Sequence, residues 1–153
     1  MSYIRQKAIA GLNRGDSFTV SRTFTEQDTR VFADISRDYN PVHFNDRFAE
    51  LKHFRGRICH GLLVASMLTE IGGEIGWLAT GMNFRFRKPV YFGETIECAL
   101  TITELDDRNR AKAEALFKNQ EDEIVIEAQL TGVVPGPSER QVMQLAAPEG
   151  SPT

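Results

Sequence analysis

From Ile96 the chain reads Ile96-Glu97-Cys98-Ala99-Leu100-Thr101-Ile102-Thr103. After the turn signal Asp106-Asp107-Arg108-Asn109 the alternation resumes through Ala111, Ala113, Ala115 and Phe117. A second turn signal, Asn119-Gln120-Glu121-Asp122, leads to Ile124, Ile126, Ala128 and Leu130. Apolar residues at period two over long strands predict a sheet with one buried and one wet face. Two turns of about four residues make the strands antiparallel. Upstream, Met82, Phe84 and Phe86 alternate with Asn83, Arg85 and Arg87 before Pro89 and Gly93 interrupt, so a further strand is expected there with its apolar side on the core.

Working back from the sheet, a helix is expected from about His60 to Ile75 or Gly76. Leu62 to Leu68, Ile71 and Ile75 leave it little polar face, and a helix apolar nearly all round belongs inside a core. Gly72, Gly73 and Gly76 weaken its end and admit neighbouring backbone. An enclosed helix with a long one-sided antiparallel sheet predicts an α+β fold in which the sheet wraps the helix. Ser17 to Phe24 reads as the first strand, after a loose lead-in over residues 1–15. Thr25-Glu26-Gln27-Asp28 fits a capping box for a helix to about Arg37 that buries Val31, Phe32 and Ile35. Asn45 or Asp46 caps a short helix ending at Leu51. One domain over residues 1–145 is expected, with residues 146–153 a disordered tail rich in Pro, Gly and Ser.

At 153 residues with net charge −3, the chain is large enough for a real core and carries no overall basic footprint for nucleic acid. It has no apolar run long enough for a membrane span and no signal-peptide core at its N-terminus. Cys59 and Cys98 form no CxxC pair. Together these predict a soluble, reduced, cytoplasmic protein that engages neither membrane nor nucleic acid.

Between the first helix and the enclosed one lies Asp38-Tyr39-Asn40-Pro41-Val42-His43, then Phe54-Arg55-Gly56-Arg57-Ile58-Cys59-His60-Gly61. Pro41 fixes its own φ and pushes Asn40 out of the helical region, giving a stiff bend able to aim Asp38 and His43 at a common point. Gly61 at a helix start exposes backbone N–H groups to close approach. A carboxylate, an imidazole and a helix N-terminus can supply acid/base chemistry and oxyanion stabilisation.

In Asp38, Asn40, Pro41, His43, Phe54, Gly56, Ile58, His60 and Gly61, in order and spacing, this stretch resembles the signature of the MaoC-like (R)-specific enoyl-CoA hydratases. The likeness extends over most of residues 15–134. It implies a hot-dog fold and an enzyme of hydro-lyase type, adding water to a trans-2-enoyl thioester to give an (R)-3-hydroxyacyl thioester by syn addition. Asp38 and His43 are the expected acid and base, in either assignment, and Gly61 N–H the expected oxyanion donor. Asn40, His60, Thr69, Arg85 and Arg87 are the expected substrate-binding residues. Thr69 stands where the family has a small hydroxyl near the substrate. Arg85 and Arg87, on one strand face with Lys88 beside them, suit the phosphates of coenzyme A.

Each residue also has a plainer reading. His60 also reads as a packing residue at a helix start, His53 as a solvated loop residue, and the two arginines as a wet sheet face. No HExxH motif or Cys/His cluster supports a metal, and apolar neighbours argue against Cys59 as a nucleophile. No cofactor is expected beyond coenzyme A as part of the substrate. The partner would be an acyl-CoA or acyl-carrier-protein thioester, and the open sheet edges predict a homodimer. The alternatives are a 3-hydroxyacyl-ACP dehydratase, an acyl-CoA thioesterase, or a non-catalytic acyl-thioester-binding subunit of the same fold.

Overall fold

Strand pairing follows the alternation. In the computed structural model, which describes residues 1–146, β1 (Ser17–Thr23), β2 (Leu78–Phe86), β3 (Thr95–Leu105), β4 (Arg110–Lys118) and β5 (Ile124–Val133) form one antiparallel sheet. Its order is β1-β3-β4-β5-β2. Leu100 faces Ala115 and Ala115 faces Ala128 across the central strands. Ile96, Cys98 and Ile102 of β3, Phe117 of β4, and Ile126 and Leu130 of β5 are all buried. Asn109 and Asp122 take positive φ in the two turns, a conformation that Asn and Asp tolerate better than other side chains.

The enclosed helix is two helices. α4 (Gly61–Ala65) and α5 (Met67–Ile75) are separated at Ser66. The Ser66 hydroxyl donates back to the Leu63 carbonyl at 2.5 Å, and the Thr69 hydroxyl donates to the Ser66 carbonyl at 2.6 Å. Such back-bonding competes with the helical ladder and bends helices. Met67, Leu68, Ile71 and Ile75 are buried, in one cluster with the alanine row Ala111, Ala113 and Ala115 of β4. Those small side chains leave room beneath the middle of the sheet. Leu62, expected inside, is 60% exposed, because it lies on the outer side of the short α4. Of Gly72, Gly73 and Gly76, only Gly76 takes positive φ, closing α5, while Gly73 has open space where a side chain would stand.

Residues 1–15 are not a loose lead-in. Tyr3–Ala10 form α1, with the Ser2 hydroxyl capping the Arg5 N–H, and Ile4 and Ala8 buried. Two apolar residues four apart are too few for a periodicity to register, yet they suffice to seat one short helix. Arg5 donates to the Gly73 carbonyl, and Ser2 to the Glu74 carboxylate, fastening α1 to α5.

α2 (Glu26–Ser36) starts on the expected capping box and ends at Arg37 in the left-handed region. Its inner face carries Thr29 and Ala33, whereas Ile35 is 78% exposed and Val31 is also exposed. Only Phe32 of the expected trio packs inward. α3 (Asp46–Leu51) is capped by Asn45. After Pro135 the chain is again helical, as α6 (Pro137–Leu145), with Ala146 at its C-cap. The rest of the expected disordered tail, residues 147–153, lies outside the described residues.

β2 departs furthest from expectation. Met82 is 44% and Phe86 53% exposed. The sheet order leaves β2 at an edge, bonded only to β5, so its apolar side is covered on one flank alone.

Candidate active site

Asp38 follows the left-handed Arg37 that ends α2. Its Oδ1 accepts the Asn40 N–H at 3.1 Å. Asn40 is extended (φ −53, ψ 127) and its own Oδ1 accepts the Val42 N–H at 3.1 Å, capping a single 3-10 turn, Pro41–His43. Two Asx-type bonds thus wind residues 38–43 into one compact bend. Val42 is driven inward, and His43 follows it into the interior. Asn40 therefore acts first as the cap of this turn, its carbonyl oxygen already committed.

His43 Nδ1 lies 2.8 Å from the Ile58 carbonyl. A carbonyl only accepts, so Nδ1 carries the hydrogen and Nε2 of the neutral ring keeps a free lone pair. Burial pushes the His43 imidazole below its ordinary value. The Ile58 carbonyl works against that, His60 adds to the lowering, and the Asp38 carboxylate opposes it. Nε2 is 3.9 Å from Asp38 Oδ2. That is too far for a direct hydrogen bond and within the span of one bridging water.

His60 is buried, and its Nε2 donates to the Asp38 main-chain carbonyl at 2.9 Å. Its ring stacks on His43 with centroids 3.8 Å apart and planes 28° from parallel, and the Phe32 ring lies tilted against it with centroids 4.9 Å apart. So His60 holds the Asp38 main chain and backs the His43 ring. One nitrogen or oxygen from each of Asp38, His43 and His60 lies within 4.8 Å of the others. Metal-ligand lone pairs lie in the ring plane, and two stacked imidazoles cannot both aim in-plane nitrogens at one ion about 2 Å away. In this arrangement the cluster is suited to proton transfer rather than to metal ligation.

The floor of the site is the Ile58–Gly61 segment. Ile58 bridges Tyr91, and the Cys59 N–H donates to the Val90 carbonyl at 2.8 Å. Arg57 ties it further, with Nη1 2.9 Å from Glu26 and Nε 3.2 Å from Asp46. Arg57 in turn holds the Glu26 carboxyl below its usual range. Burial pushes the Cys59 thiol up to about 12, which removes it as a nucleophile. Gly61 opens α4, where the first N–H groups have no intrahelical acceptor. A Cβ at Gly61 would lie 2.7 Å from the Phe86 ring, so glycine is required by the aromatic wall opposite. Because α4 is only five residues long, what it offers is this local N–H donor rather than a long helix dipole.

Asp38, His43 and Gly61 line one cavity of about 630 Å³ whose other walls include Phe32, Phe86 and Val90. His60 and Arg87 also border it; Asn40, Thr69 and Arg85 do not. Thr69, two turns beyond Gly61, is carried past the break at Ser66 and borders a separate cavity of about 180 Å³. Arg87 is paired with Glu127 through two nitrogens, at 2.7 and 3.0 Å, and Lys88 is paired with Glu123. The expected arginine pair is thus one compensated guanidinium at the mouth and one exposed guanidinium outside it. His53 is exposed, in the left-handed region. The roles of two positions are not readable from the sequence. Ile58, a member of the motif, acts through its main-chain carbonyl, to which side-chain type is no guide, and Phe86 alternates like a core residue but walls the cavity.

A family model described as MaoC like domain matches residues 11–124. The chain is 32% identical to a mitochondrial 3-hydroxyacyl-[acyl-carrier-protein] dehydratase of Arabidopsis thaliana, over 81% of this chain and 78% of that protein. It is 29% identical to an (R)-specific enoyl-CoA hydratase of Rhodospirillum rubrum, over 81% of this chain and 89% of the relative. Among solved structures, the unliganded R-hydratase PhaJ1 of Pseudomonas aeruginosa superposes with TM-score 0.75 at 27% identity, covering 83% of this chain and 84% of the other.

Proposed function

We infer the reaction from one premise: this chain belongs to the MaoC-like domain family, whose relatives named above are hydratases and dehydratases. Those names describe one hydro-lyase reaction in its two directions. We propose that the protein is an (R)-specific enoyl-CoA hydratase, adding water reversibly to a trans-2-enoyl-CoA. The observation that carries the reading is the pair His43 Nε2 and Asp38 Oδ2, 3.9 Å apart, in one cavity with the Gly61 N–H.

The Gly61 N–H donates to the thioester oxygen and stabilises the negative charge that develops there, a contribution of about 3–4 kcal/mol for one donor. Water held between His43 and Asp38 loses a proton to His43 Nε2, and its oxygen bonds to C3 as the alkene electrons move onto the thioester. Asp38, as the general acid, delivers a proton to C2 of the enolate. Return of a proton from His43 to Asp38 restores the pair. Both groups act from one side, so the addition is syn. The tautomer imposed by Ile58 supports His43 as the base, the assignment on which the residue pattern alone was neutral. Coenzyme A enters as part of the substrate, and no other cofactor takes part.

Loss of the enoyl-thioester absorbance of crotonyl-CoA, with (R)-3-hydroxybutyryl-CoA as product, is the expected result. Release of free thiol from saturated acyl-CoA instead would make the protein a thioesterase. No turnover with tight acyl-CoA binding would make it a binding subunit. The Arabidopsis similarity favours a second reading, dehydration on acyl carrier protein, which a higher kcat/KM for the carrier-bound substrate would establish.

We further propose a homodimer joined along β2, in the cytoplasm. Of the two sheet edges, β2 exposes Leu78, Met82 and Phe86, whereas Phe18 of β1 is buried.

A further inference from the structure

Arg57 joins three segments that meet at Asp38 and His43. Its Nη1 donates to Glu26 Oε1 at 2.9 Å, and its Nε lies 3.2 Å from Asp46 Oδ1. Glu26 opens α2, the helix whose far end hands the chain to Asp38. Asp46 opens α3, which begins shortly after His43. Arg57 itself precedes Ile58, whose carbonyl accepts the His43 Nδ1 hydrogen. The Arg57 side chain is only 22% exposed, and its guanidinium lies over the Phe92 ring at 5.3 Å. It does not border the large cavity. The other ties between these segments are weaker or run elsewhere. The Cys59 N–H bonds Val90, away from the His43 turn, and the Ile58 N–H reaches the Val42 carbonyl only at 3.4 Å, beyond the usual hydrogen-bond range. Arg30 also binds Glu26, at 3.0 Å, but both belong to α2. A planar guanidinium can address two carboxylates at a fixed angle, which an ammonium cannot.

We propose that Arg57 is a positioning residue for the proton-transfer pair: by clamping the starts of α2 and α3 to the Ile58 segment, it holds the Ile58 carbonyl on His43 Nδ1 and so keeps Nε2 bare and facing Asp38. This rests on the reading of Asp38 and His43 as acid and base. The groups that face His43 are the Asp38 carboxylate, the His60 ring and the Ile58 carbonyl. Arg57 is not among them, so it acts through the carbonyl. That carbonyl favours the protonated ring, and its loss should move the His43 titration down. General loosening of the site would do the opposite, since water admitted to a buried imidazole relieves the desolvation that lowers it. The direction of the shift therefore separates positioning from mere softening.

The test compares wild type with Arg57→Met, which keeps the apolar stem, and Arg57→Lys, which keeps the charge without the fork. Crotonyl-CoA kinetics across pH are paired with nitrogen NMR of the imidazole rings, which reports the His43 tautomer and titration without catalysis. Arg57→Met should lower kcat by about 10- to 100-fold, the scale of a small misplacement of reacting groups. The KM for crotonyl-CoA should change by less than about twofold, since the lost interaction serves the transition state. The acid limb of kcat/KM should move to lower pH, and the His43 ring should lose its pure Nδ1–H form. Arg57→Lys should fall between. Glu26→Gln alone should lower kcat, but should cost nothing further in the Arg57→Met background, where its partner is already gone. A folded Arg57→Met variant with wild-type kcat and tautomer, or with its acid limb moved upward, would overturn the role. If Arg57→Met unfolds, Arg57→Lys and Glu26→Gln carry the same readouts. If wild type does not hydrate crotonyl-CoA, the reaction reading falls, and the ring spectra still decide whether Arg57 sets the His43 tautomer.

Discussion

The bend from Asp38 to His43 and the strand β2 are both short, and both read clearly as patterns, yet they came out differently. In the bend each side chain is placed by partners a few residues away: Asp38 binds the Asn40 N–H and Asn40 binds the Val42 N–H. In β2 the apolar alternation is as regular as in β3, but Met82 and Phe86 remain exposed because the strand lies at a sheet edge. Local hydrogen bonds travel with the sequence that makes them. Burial depends on what the rest of the chain, or another chain, lays over a face.

The largest expected effects fall on the bend. Asp38→Asn and His43→Ala should each lower crotonyl-CoA turnover by ~10²–10⁴, with circular dichroism unchanged. The double variant should lose far less than the product of the two, since the groups act on one water. Wild-type turnover in either single variant would remove the proposed roles. The pH profile sharpens the point. A base must be neutral to act, and burial lowers the His43 value. The acid limb of kcat/KM should therefore lie below about pH 6.5, the ordinary imidazole value. By the same linkage His43 contributes stability above that pH, which is lost as pH falls through its lowered folded-state value. An acid limb above the ordinary value would contradict a buried neutral imidazole.

Where the two regions touch, Gly61→Ala puts a Cβ 2.7 Å from the Phe86 ring. Overpacking of this kind costs about 1–3 kcal/mol, readable as a lower urea midpoint. An unshifted midpoint would mean that the ring moves aside freely and is no fixed wall. Along β2 itself, sedimentation should give a dimer at micromolar concentration. Met82→Lys should weaken it, because a charge on an edge strand opposes pairing. A wild-type monomer, or a dimer indifferent to the lysine, would break the assignment of β2 as the seam.

The smallest effect belongs to the arginines. Arg87 is already paired with Glu127, so Arg87→Ala should change the KM for crotonyl-CoA little. Arg85→Ala should raise it by at most about fivefold, the worth of one exposed ionic contact. The increase should shrink with salt and leave kcat alone. Identical KM at low ionic strength would return Arg85 to a solvated sheet face.

Much of the site was legible because it is built from local rules. The capping box at Thr25, the cap at Asn45 and the Asp-x-Asn-Pro-x-His bend all formed as their residue types dictate. Three central strands were legible for the same reason, each alternating over a face that its neighbours cover. What misled was orientation. Val31 and Ile35 share a helix with Phe32, and only docking against His60 decides that Phe32 turns inward. Thr69 is in helical phase with Gly61, but the break at Ser66 carries it to a different cavity.

The sequence by itself determined the antiparallel sheet, the enclosed apolar segment, and the meeting of a carboxylate with an imidazole on a proline bend. Period-two alternation, apolar periodicity and proline stereochemistry are properties of neighbouring residues and need no distant partner. Tertiary structure alone decided which His43 nitrogen is bare, because the carbonyl that claims the other belongs to Ile58, fifteen residues away. It also decided that Arg87 is neutralised by Glu127 and that β2 is an edge. Each of these depends on contacts between segments remote in sequence, and such contacts leave no local mark on the residues that make them.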